Sequence, residues 1–94
     1  MSILDEKVID EEGNIAQLVI WKVPVAAEYP GGIRYRLAFV KRGESAPSVL
    51  YDNHHPKGHH RHVAGIEETY EFAGVDRLVA NFAADVRRIQ GEEK

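Results

Sequence analysis

Apolar and polar positions alternate most clearly between Ile33 and Val40. Ile33, Tyr35, Leu37 and Phe39 fall on one side, and Arg34, Arg36, Ala38 and Val40 fall on the other, the period of a strand with one buried face. From Ile15 to Val23 both parities are apolar: Ile15, Val19, Trp21 and Val23 on one, Ala16, Leu18 and Ile20 on the other. A strand buried on both sides belongs inside a sheet. Residues Ile3 to Ile9 mix apolar and charged positions and predict an edge strand, closed by turn formers from Asp10 to Asn14. Pro24 and Pro30-Gly31-Gly32 break the chain before Ile33, Lys41 to Pro47 is a polar loop, and Ser48 to Asp52 reads as a returning strand. Glu67 to Phe72 is a further short strand, and Trp21 reads as a core anchor.

The period changes after Gly74. Val75, Leu78, Val79, Phe82, Val86 and Ile89 follow the three-to-four spacing of an amphipathic helix, with Arg87 and Arg88 in its final turns and Gly91 as its stop. The pattern therefore predicts an α+β domain, an antiparallel β-meander of four to five strands with one C-terminal amphipathic helix packed on one face. A chain of 94 residues holds a single domain, 1–94, with the sheet over about 3–72, a His-rich loop over 53–62 and the helix over about 75–90.

Composition changes this picture at one place. The net charge of −3 argues against a generally basic nucleic-acid binder, and the absence of cysteine excludes disulfides and thiolate metal sites. No apolar run suits a membrane helix, and the acidic start resembles no targeting peptide, so a cytoplasmic protein without membrane partners is expected. Yet all five histidines lie between His54 and His62, beside Lys57 and Arg61 and with no acid. Protonation of these rings would make the segment strongly cationic, so anion binding is expected to strengthen toward about pH 6.

Three readings of this segment compete with that of an idle solvated loop. RNA cleavage by attack of the ribose 2′-hydroxyl needs a base, an acid and cations but no metal. Imidazoles with an ordinary pKa of about 6.5 supply the first two, which makes His59, His60 and His62 the candidate catalytic groups. Lys57, Arg61, Arg34 and Arg36 are candidate phosphate ligands, because a Lys41–Pro47 hairpin brings the start of one strand beside Asp52, Asn53 and the first histidines. Asp52 and Asn53 are candidate orienting groups, and Tyr51 and Tyr70 could stack on a base or position a phosphate. A second reading is a non-enzymatic module whose basic loop docks nucleic acid or an acidic protein partner. The third is a metal site built from the same histidines, in which His59 and His62, or His60 and His62, could chelate; no HExxH helix is present, and no cofactor or metal is expected.

Arg34-Tyr35-Arg36-Leu37, Tyr51-Asp52-Asn53, Lys57-Gly58-His59-His60-Arg61-His62, Tyr70-Glu71-Phe72, and Leu78 with Phe82 and Asp85 together resemble the TumE family, toxins of type II toxin–antitoxin pairs. The resemblance spans nearly the whole chain. It implies a growth-inhibiting toxin neutralised by a cognate antitoxin protein, with RNA as a target consistent with that class. The Ala73-Gly74-Val75 entry to the helix departs from the family's better-capped pattern, a difference of about 1 kcal/mol in helix stability. Exposed strand edges in so short a sheet leave room for a homodimer.

Overall fold

The computed structural model describes residues 1–92. It holds β1 (Ser2–Ile9), β2 (Ile15–Lys22), β3 (Ile33–Val40), β4 (Val49–Asp52), β5 (His60–Val63), β6 (Ile66–Thr69) and α1 (Val75–Glu92). The strands form one antiparallel sheet in sequence order, β1-β2-β3-β4-β5-β6. The architecture is the expected α+β meander with one C-terminal helix. It has six strands where the pattern predicts four to five.

The additional strand lies in the histidine-rich segment. The sequence predicts irregular backbone to His62, but β5 begins at His60. His60–Val63 is nearly devoid of apolar residues, so alternation cannot reveal it; its pairing with β4 does, Tyr51 facing Arg61 and Asp52 facing His60. Ala64 and Gly65 then turn the chain into β6 with φ values of +51° and +82°, the backbone of a two-residue hairpin whose central residues are both left-handed.

The core forms between one face of the sheet and the helix. Ile20, Tyr35, Leu37, Phe39, Val49 and Tyr51 bury against Leu78, Phe82 and Ile89. Each such side chain contributes about 1.5–3 kcal/mol by leaving water. Residues paired across antiparallel strands share a face, so Leu18, Leu37, Tyr51, Arg61 and Glu68 form one row under the helix. The next row, Val19, Arg36, Asp52, His60 and Thr69, lies on the opposite, open face.

Three details of the chain differ from the sequence expectations. The helix runs through Gly91 to Glu92, so Gly91 does not stop it and Arg87 and Arg88 precede its last turn. Its first turn is closed by Leu78 N–H donating to the Gly74 carbonyl at 3.0 Å, with Gly74 at φ +102°. Trp21 is not a core anchor. It pairs with Arg34 on the open face, is 36% exposed, and has the Arg34 guanidinium 5.5 Å from its ring centroid.

Candidate functional site

Strand alternation sorts the histidine segment onto two sides of the sheet. His60 and His62, two residues apart on β5, share the open face with Arg36, Asp52 and Glu67. Their rings meet edge to face with centroids 5.4 Å apart. His60 is 8% exposed, and its Nδ1 donates to the Gly58 carbonyl at 2.9 Å, leaving Nε2 as the acceptor nitrogen. Glu67 faces His62 across the ladder, with Oε1 3.7 Å from His62 Nε2. Lys57 pairs with the same carboxylate, and that contact, with the neighbouring positive charge, holds Glu67 below the usual carboxylate range. One ligand atom each from His60, His62 and Glu67 lies within 4.8 Å of the others.

On the same face, Arg34, Arg36, Asp52 and His54 line a cleft of about 260 Å³ with Trp21, Gln17 and Val19. The expected hairpin pairing holds: Arg36 lies directly opposite Asp52. Asp52 Oδ1 accepts the His54 backbone N–H at 2.6 Å and so folds the chain back beyond β4. Arg34 Nη2 donates to His54 Nδ1 at 3.1 Å. Asn53 is buried and orients backbone: its Oδ1 accepts from Tyr35 N–H and its Nδ2 donates to the Ile33 carbonyl, both at 2.8 Å. That pair of bonds extends the β3–β4 ladder past its last strand residue.

His59 is not brought to His60 and His62. It joins Tyr35 and Phe72 in a cluster of three near-parallel rings, its centroid 5.6 Å from Tyr35 and 5.1 Å from Phe72 at interplanar angles of 27° and 10°, with Tyr35 and Phe72 themselves 5.6 Å apart. Its Nδ1 lies 2.8 Å from the Tyr35 hydroxyl. Burial pushes the Tyr35 phenol far above its ordinary value, so that hydroxyl stays protonated and donates, and Nδ1 accepts. Burial also lowers the His59 pKa, in keeping with a neutral ring.

Arg61 is also placed on the other side, under the helix. Its Nε and Nη2 each reach Glu68 Oε1 at 2.5 Å, and its Nη1 donates to the Tyr51 hydroxyl at 3.1 Å and lies 3.4 Å from Asp85 Oδ2. The Tyr51 hydroxyl and Glu68 raise the Arg61 pKa further above its already high value. Tyr51 is fully buried and donates to Asp85 Oδ2; burial, reinforced by that carboxylate, pushes the phenol up to about 12. Arg88 donates to Asp85 Oδ1 at 2.8 Å. Tyr70 packs edge-on against Tyr51 at 4.9 Å, and its hydroxyl accepts from Asn81 at 2.9 Å. Among the sequence-selected residues, Arg61, Tyr51 and Tyr70 thus lie in a helix-side network, and Arg34, Arg36, Lys57, Asp52, His60 and His62 lie on the open face.

Sequence reasoning does not select Trp21 or His54. Trp21 shares the parity of Val19 and Val23 and so looks like core; its register opposite Arg34 is what exposes its role. His54 is one histidine among five, distinguished only by its bond from Arg34.

Fold and site define a small α+β protein that gathers guanidinium, ammonium and imidazole groups on one uncovered sheet face of an otherwise acidic scaffold. Residues 3–90 match the family model described as Toxin TumE, and the chain belongs to that toxin family. No curated protein and no solved structure gives a significant match. Membership in a toxin family implies an antitoxin partner in general. No helix among the described residues is long and apolar enough to cross a membrane.

Proposed function

We propose that this toxin binds RNA in the cytoplasm on its open sheet face and cleaves it there without a metal, and that this activity underlies growth inhibition. The observation that supports the reading is that His60 and His62 share with Arg36 and Arg34 the side of the sheet that the helix leaves bare. Adjacent strands lie about 4.8 Å apart, so Arg36 and His60, one on each side of Asp52, stand about 10 Å from each other, within reach of a guanidinium that holds the phosphate the imidazoles attend.

The chemistry follows from the hydrogen bonds. His60, whose Nδ1–H is committed to the Gly58 carbonyl, presents Nε2 to take the proton of a ribose 2′-hydroxyl. The oxygen attacks the adjacent phosphorus, and the bond to the 5′-oxygen breaks. His62 donates the proton that the leaving oxygen needs. The products are a 2′,3′-cyclic phosphate and a free 5′-hydroxyl. Arg36 and Arg34 stabilise the charge that builds on the phosphoryl oxygens. Asp52 acts indirectly by setting the turn that carries His54.

The test is cleavage of total RNA by purified protein, with and without EDTA. The reading expects activity that EDTA leaves unchanged and that His60→Ala or His62→Ala removes. Binding without cleavage under every condition would favour a docking module instead. One observation favours a metal as the second reading: His60, His62 and Glu67 form a compact three-ligand set, and the Gly58 carbonyl engages Nδ1 of His60, as a second partner commonly anchors metal-bound histidines. Stoichiometric zinc in protein never exposed to a metal column, together with activity abolished by EDTA, would establish that alternative.

A further inference from the structure

The cleft beside the imidazole pair has no part in the proton transfers, yet it is shaped for a flat aromatic ligand that carries negative charge. The face of the sheet that holds Trp21 is not covered by the helix, and the residue is 36% exposed. A large aromatic left open beside two arginines gains nothing from core packing. Val19 and the stem of Gln17 give the cleft an apolar floor; Arg34 and Arg36 give it two cations on its β3 side. Because a guanidinium only donates, the contact from Arg34 makes His54 Nδ1 an acceptor and leaves the ring proton on Nε2. His54 therefore offers a further donor at the rim, while the Asp52 carboxylate and the Gln17 amide offer acceptors.

We infer that this cleft is a nucleotide subsite of the toxin: Trp21 stacks on the base next to the scissile phosphate of a single-stranded RNA, while Arg34 and Arg36 hold that phosphate. The inference rests on the reading of the open face as an RNA site and adds to it the surface that selects an unpaired base. Three features of the cleft favour this occupant. The volume of about 260 Å³ accommodates one nucleobase with room for its sugar edge. The charge lining the cleft, two arginines against one aspartate, suits a phosphodiester. The arginine that covers the Trp21 ring at 5.5 Å is the one that also reaches His54, so an incoming base takes the place of the guanidinium over the ring and frees it for phosphate. A base inside a duplex has no free face for Trp21, so the subsite selects single strands.

Trp21 is the protein's sole tryptophan, so its emission reports on the cleft alone. The probe is a short single-stranded DNA, which lacks the 2′-hydroxyl and cannot be cleaved by the proposed route, carrying a 5′-fluorescein for anisotropy. The inference expects saturable quenching of Trp21 that coincides with the anisotropy isotherm, and no quenching by the matching duplex. It expects Trp21→Leu to weaken binding by roughly 5- to 150-fold, the span covered by base–aromatic stacking, and Trp21→Phe to recover part of that loss. Trp21 lies outside the core, and circular dichroism verifies that both variants fold. Binding that leaves Trp21 emission and the Trp21→Leu affinity unchanged overturns the subsite while the RNA reading stands. Quenching by inorganic phosphate as strong as by the oligonucleotide makes the cleft a simple anion site and overturns the stacking. No anisotropy change with DNA, and none when labelled RNA is titrated with a His60→Ala variant, overturns the RNA reading and the subsite with it.

Discussion

Replacing Asp85 by alanine tests whether the helix-side network is structural. Asp85 is 6% exposed, and its carboxylate accepts from Tyr51, Arg61 and Arg88. The buried bond from Tyr51 is the largest contribution, because a hydrogen bond to a charged group is worth about 1.5–3 kcal/mol. Arg88 is more than half exposed and contributes as a surface i,i+3 pair, about 0.3–0.5 kcal/mol. Arg61, at 3.4 Å, adds little because it retains Glu68. Alanine returns about 0.5 kcal/mol through its better helix propensity. The expected net loss is about 1.3–3 kcal/mol, which in a domain of this size lowers Tm by about 5–24 °C. Urea denaturation followed by circular dichroism measures the first figure, and a thermal melt the second. Below its lowered Tm the variant should bind single-stranded RNA with unchanged affinity, because Asp85 and the open face lie on opposite sides of the sheet. A melt within about 3 °C of the parent would refute the energetic reasoning. So would full stability combined with lost binding.

Four further outcomes are expected. Arg61→Ala leaves Tyr51 donating to Asp85, so it costs about 1–2 kcal/mol of stability and spares RNA affinity per folded molecule, as denaturation and anisotropy together would show. His60→Ala lowers cleavage by about 10²–10⁴-fold, the usual contribution of a positioned base, as single-turnover assays with labelled RNA would show. His59 has a folded pKa below its unfolded value of 6.5, so the unfolded chain takes up its proton first. Its contribution is therefore complete above pH 6.5 and declines as pH falls through the lower folded value, and His59→Phe, which keeps the stack with Tyr35 and Phe72, should flatten that part of a stability–pH profile. Gly74→Ser supplies a better capping side chain but forces it into φ +102°, so it should destabilise by about 1 kcal/mol rather than stabilise, which a urea midpoint would reveal.

Much of the fold is legible because its strands and helix obey their own periods. The alternation from Ile33 to Val40 assigns Tyr35, Leu37 and Phe39 to the core, where they lie, and the doubly apolar Ile15–Val23 segment marks β2 as an interior strand. The hairpin argument brings Arg36 to Asp52. Legibility ends where polar residues form regular structure. In His60–Val63 no apolar alternation marks the strand, so the side of the sheet on which each histidine lies stays hidden, although Ala64-Gly65 carries the turn signal. Arg61 shows a different limit: its partners Glu68, Tyr51 and Asp85 come from three other elements, and only packing brings them together. Trp21 reads as core because apolar parity says which residues share a face but not which face the helix covers.

The division of the sheet into a helix-covered side and an uncovered one has a consequence for how such a protein fares under selection. Side chains that fill the core and those proposed to do chemistry occupy opposite surfaces and share few partners, so changes on one side add nearly independently to changes on the other. If the open face is the site of RNA cleavage, one substitution at Arg36, Trp21 or His62 disarms the molecule at little cost to its folding. A cell that must survive its own toxin can then carry inactive copies that stay folded, and restoring the lost side chain restores the poison.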